Sequence, residues 1–167
     1  MTLDDFIQRL ATDLSAWTKE NGGQFHVARD PLHPYVILAG GNYQSFVVIL
    51  NYAGADGMNT DQHPHGMRDA KVEIFVGHGM DLRSDPGAWL FKSDGSAEPI
   101  LKRLDALLAR VLTIAFDNGD RHDKAYAVYG GEQPATLPDG APLKAFKATV
   151  SWPLPIDVRE SDYRFLN

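Results

Sequence analysis

"SFVVILNY", Ser45 to Tyr52, is the stretch on which the fold turns. An antiparallel strand with one wet face alternates apolar and polar residues, whereas Phe46 to Leu50 is apolar at every position. Such a run has strand length, and its pattern fits a central strand covered on both faces.

Its neighbours are expected as strands joined by turns. Upstream, "YVILA" (Tyr35 to Ala39) is short, apolar and β-branched, and Gly40-Gly41-Asn42 supplies a hairpin turn. Before it, "QFHVAR" (Gln24 to Arg29) alternates, and Asp30-Pro31 and His33-Pro34 mark a turn. Downstream, Ala53 to Arg68 is polar and glycine-rich and is expected as a long loop, of a length that is usually functional or disordered. "AKVEIFVGH" (Ala70 to His78) then alternates, with Val72, Ile74 and Val76 on one side and Lys71, Glu73 and Phe75 on the other.

Two helices frame this β region. Leu3, Phe6, Ile7, Leu10, Leu14 and Trp17 recur in steps of three and four, Thr2 is placed as an N-cap, and Gly22-Gly23 stops the helix. The second helix starts at Pro99. Its wide apolar face comprises Ile100, Leu101, Leu104, Leu107, Leu108, Val111, Leu112 and Ala115, and Asn118-Gly119 closes it. The chain ends in β again. "KAYAVYG" (Lys124 to Gly130) is a strand, Asp139-Gly140 a turn, and "LKAFKATVSW" (Leu143 to Trp152) a long strand that "PLP" is expected to end.

The expected order is α-β-β-β-β-α-β-β. That is an α+β fold with a mainly antiparallel sheet of about six strands and two helices packed on one face. Residues 1–156 form one domain and 157–167 a C-terminal tail.

The totals set the class. A chain of 167 residues, 44 % apolar and 23 % charged, can bury a core of its own. Sixteen basic against 22 acidic residues leave a net charge of −6, which disfavours sequence-independent nucleic-acid binding. There is no cysteine, so disulfides and thiolate metal sites are excluded. The acidic start "MTLDDFIQRL" and the lack of a long apolar run point to a cytoplasmic protein with no membrane partner.

Few residues carry a chemical signal. His63 and His65, in "NTDQHPHGMRD" (Asn59 to Asp69), stand two apart, with Asp61, Asp69 and His78 as further candidate zinc ligands. Pro64 lies between them in what reads as a solvated loop, so metal binding is the minor reading. "DNGDRHD" (Asp117 to Asp123) lacks calcium-loop spacing and reads as a helix exit. His26 reads as structural, and His78, between Gly77 and Gly79, as exposed. No nucleophile elbow or phosphate loop exists, and Gly40-Gly41 and Gly130-Gly131 read as turns. No catalytic residue, cofactor or metal is assigned. "AWLF" (Ala88 to Phe91) places Trp89 and Phe91 outside any periodic element, as a satellite cluster or as anchors for a partner.

The succession "LDDFIQRLATDLSAW", "PYVILA", "FVVIL", a glycine-rich loop, "KVEIFV", "PILKRLDALLARVL", "AYAVYGG" and "KAFKATVSWPLPI" resembles the tail terminator (minor tail protein U-like) family of long-tailed phages and prophages. The resemblance covers about Leu3 to Ile156 and implies a structural, non-enzymatic role. Copies of the chain would form a homo-hexameric ring that caps the finished tail tube and joins it to the head. Self, tail-tube and head-completion proteins would be the partners, and the virion tail the final location. A ring needs a heterologous, closing interface. Met58, His63, His65, Met67 and Arg68 of the loop are its candidate residues, with Trp89 and Phe91. Two other classes stay open at this point: a small His-dependent metal enzyme, and an intracellular immunity-type binding protein.

Overall fold

The computed structural model describes residues 2–40, 45–60, 63–79, 99–117 and 124–156, with backbone alone at 59–60 and 63–65. Among them the elements run α1 (Leu3–Glu20), β1 (Gln24–Val27), α2 (His33–Gly40), β2 (Phe46–Thr60), β3 (His63–His78), α3 (Ile100–Val111), β4 (Ala115–Asp117), β5 (Lys124–Tyr126), β6 (Val128–Thr136) and β7 (Pro142–Pro155). The main sheet has the order β1-β2-β3-β7-β6, and β4 and β5 make a separate pair. Every pairing is antiparallel except β1 with β2. The fold is therefore α+β with a mainly antiparallel sheet.

α1 starts as its sequence requires. The Thr2 hydroxyl accepts from Asp5 N–H at 3.1 Å, and the Asp5 carboxylate accepts from Thr2 N–H at 3.0 Å. This reciprocal box satisfies two donors that a helix start leaves open. At the other end Gly22 takes φ +81°, and Gly23 N–H donates to Thr18 O at 2.9 Å.

Both long helices lie on one face of the sheet. Phe6, Leu10 and Leu14 of α1 and Ile100, Leu104, Leu107, Leu108 and Val111 of α3 share a cluster with Phe46, Val48, Leu50, Val72, Ile74, Val76, Ala148, Val150 and Trp152. The Arg110 guanidinium clamps the two helices, donating through Nε at 2.9 Å and Nη2 at 2.7 Å to the two oxygens of Asp13. At the core's far end the rings of Phe6, Phe116 and Trp152 meet edge to face, with centroids 4.8 to 5.9 Å apart. The Trp152 indole N–H donates to Ile114 O at 3.1 Å, so its polar edge is satisfied.

"YVILA" is a helix, not a strand. The Asp30 carboxylate accepts from Leu32 and His33 N–H at 2.8 and 2.9 Å, which caps the start of α2, and Pro34 fits its first turn. Leu38, with partly buried Tyr35 and Ile37, packs on Val47, Ile49 and Phe75 on the sheet's other face. An apolar run of this length suits either conformation, and packing decides. α2 is thus the crossover that makes β1 parallel to β2. β2, buried from Phe46 to Leu50 between α2 and the helix pair, is the central strand its composition demanded.

β7 also runs past its expected end. Ile156 N–H donates to Gly66 O on β3, so by alternation Pro153 and Pro155 turn their nitrogens to the opposite side. Among the described residues that side has no main-sheet partner beyond Val128↔Ser151. The prolines cost no hydrogen bond there, and they stop the β6 ladder at Ser151. β5 pairs with β4 instead. Gly130 and Gly131 are not a turn; they lie within β6, at a register shift between Tyr129 and Glu132.

Candidate functional site

The expected loop after Tyr52 is a β-hairpin arm. β2 and β3 stay paired from Phe46↔His78 out to Thr60↔His63. β1 flanks β2 only as far as Leu50, so the outer edge of β2 is open from Asn51 onward among the described residues. β7 supports β3 as far as Met67↔Pro155, and the tip beyond projects free of it. Nine residue steps from Asn51 to Thr60 correspond to a reach of about 30 Å.

Two bulges shape the arm. Between Tyr52 and Ala55 the β2 strand carries one extra residue, and Gly54 takes φ +94° there. Before the bulge even-numbered β2 residues face the helix pair; after it Ala55 opposes Ala70 on that face and Asp56 opposes Asp69 on the other. The extra residue thus turns Asp56 away from the helix-covered face. It lands diagonal to Lys71, whose ammonium donates to its carboxylate. The hydrogen bond and charge of Asp56, with Asp69 beyond, hold Lys71 above its ordinary pKa of 10.5. A second shift follows Met58, with Gly66 at φ +102°. Farther down the same face Asn51 donates to Glu73 at 2.9 Å, and Glu73 pairs with Lys147 at 3.0 Å. Those residues form a polar ladder beside the apolar seat of α2.

The candidate residues fall unevenly on this frame. Met58 is exposed and stands opposite Met67, which is buried; Arg68 is half-buried opposite Gly57. His63 and His65 lie on β3 at the tip of the arm, His63 opposite Thr60. Trp89, Phe91 and His122 fall outside the described residues, as does the tail after Ile156. His78 is buried, not exposed, at the end of β3 where it pairs with Phe46. Among the described residues no three His, Asp or Glu side chains converge as a metal site would need.

Features beyond those candidates lie at the two ends of the sheet. Tyr126, Val128 and Tyr129, at the β5–β6 end, are 62, 57 and 45 % exposed. Beside them an open groove of about 440 Å³ runs between α3 and β6, lined by Leu101, Leu104, Leu108, Lys102, Asp105 and Glu132. At the β1 end a groove of about 560 Å³ is lined by Ala11, Thr12, Ser15, Ala16 and Lys19 of α1 with Phe25 of β1. "KAYAVYG", expected as one strand, divides at Ala127 between β5 and β6, and nothing in it reveals that β6 is an edge. Sheet order alone makes these residues a surface. Compared with models of known protein families and with curated protein sequences, the chain matches none significantly.

Proposed function

We propose that this chain is a structural assembly protein of the tail terminator type: copies close into a ring that caps a phage or prophage tail tube and offers a surface to the head connector. One observation carries the reading. The β2–β3 arm leaves the supported sheet with a backbone edge that is open among the described residues, so a neighbouring molecule can be engaged there without breaking a strand pairing. Edges of this kind are normally blunted or covered, and a partner subunit is one way to cover them. Met58, exposed on the arm, is an adaptable apolar contact. The resemblance of the element succession to that family supports the same role, and the net charge of −6 suits a pore that must pass DNA without holding it.

The test is light scattering over a wide concentration range, with electron microscopy of the same samples, alone and mixed with tail tubes. A single closed species of several copies with a central hole is expected. Monomers under every condition would contradict the reading, and a stable complex with one unrelated protein would favour an immunity-type module instead.

A further inference from the structure

We propose that successive copies join head to tail through the two ends of the sheet, the outer edge of β1 meeting the Val128–Tyr129 end of β6 in the next copy. The proposal rests on the ring reading and specifies its contact. Among the described residues neither edge has a strand partner. Strand direction makes the junction natural. β1 runs with β2, and each step from β2 through β3 and β7 to β6 reverses, so β1 and β6 run opposite ways. A neighbour related by rotation about an axis running along the strands keeps their directions, and its β6 meets β1 antiparallel, the pairing used through most of this sheet.

Length, bulk and charge fit as well. β1 has four residues and carries no proline or lysine, so within the strand itself only its shortness limits edge pairing. On β6 the bulge at Gly131 and Pro134, which has no N–H to donate, confine pairing to the start of the strand. The two usable stretches are thus both short. Small side chains, Ala11, Thr12, Ser15 and Ala16, line the groove beside β1, whereas Tyr126, Val128 and Tyr129 project at the other end. Lys19 stands in the first groove; the second holds Asp105 and Glu132 against Lys102. One cation therefore faces an excess of one carboxylate. Register places Val27 beside Leu50 and Tyr129 beside Val150, both helix-face positions, so the two side chains share one face of a continued sheet.

A chain without cysteine gives a clean background for trapping the contact. Val27→Cys and Tyr129→Cys are introduced singly and together, both at exposed sites, and treated with a short bismaleimide at high protein concentration. Thermal denaturation checks that each variant folds. The double variant is expected to give a ladder of covalent multimers, and each single variant no more than traces of dimer. Rings by light scattering with no ladder would overturn this junction while leaving the ring reading in place. Monomers with no ladder would overturn both. Dimers in a single variant as abundant as products of the double would show a two-fold contact and also overturn it.

Discussion

Lys71 on β3 reaches diagonally across the hairpin to Asp56 on β2, whose direct cross-strand partner is another carboxylate, Asp69. The ammonium therefore offsets the repulsion between two like charges that face each other at the root of the arm.

Removing that cation should loosen the root. Lys71→Met leaves Asp56 and Asp69 opposed, and hydrogen exchange at the amides of residues 55–58 should quicken, more so at low salt. Adding Asp69→Asn should restore most of the protection. Unchanged exchange in Lys71→Met would remove the ion pair from the account of the arm.

The same contact sets a pH dependence. The folded-state pKa of Lys71 is raised above 10.5, so its contribution is complete below the ordinary value and is lost as pH rises through the raised one. Protection of the arm amides should hold from neutrality to about pH 10 and then fall. Lys71→Met should lack this alkaline limb.

Gly54 holds a positive φ with open space around it, so strain and not a clash opposes a side chain there. Gly54→Ala should destabilise the protein by about 1–2 kcal/mol, measured by denaturant unfolding. No loss of stability would mean that the bulge relaxes into another register.

Gly23 fails for the other reason. A β-carbon there would stand 2.6 Å from Phe46 Cζ, and that ring is already held by the Arg103 guanidinium at 4.1 Å and by Trp17 at 6.1 Å. Gly23→Ala should cost about 1–3 kcal/mol of stability through overpacking, seen as a lowered unfolding midpoint.

Trp152 joins α1, β4 and β7 through Phe6, Phe116 and Ile114 O. Trp152→Ala should cost about 3–5 kcal/mol, while Trp152→Phe should cost less, losing mainly the indole hydrogen bond. Equal losses would place the stabilisation in that bond instead of the aromatic packing.

The parts of this fold legible in sequence are those where one period runs uninterrupted. Leu3 to Trp17 and Ile100 to Val111 hold helical spacing, and Val72 to Val76 and Phe146 to Trp152 alternate over buried faces. Tyr35 to Ala39 has the composition of a strand, and only the Asp30 cap and the packing of Leu38 on the sheet make it a helix. The arm was hidden because Gly54 and Gly66 each shift the alternation, so a strand with two bulges looks like an irregular loop. Pro153 and Pro155 looked terminal because their nitrogens' direction depends on which neighbour is missing. Met58 and its neighbours on the arm are legible as candidates because they lie in a long polar, glycine-rich stretch. The β1 and β6 edges are not, because edge status is a property of sheet order.

The central claim is that the arm mediates assembly and is dispensable for folding. Replacing Met58–Met67 with Asn-Gly closes the hairpin between the cross-strand partners Gly57 and Arg68. The shortened protein should keep its circular dichroism and a cooperative unfolding transition, yet remain monomeric by light scattering where the full chain forms rings. Rings of the same copy number from the shortened protein would contradict the account.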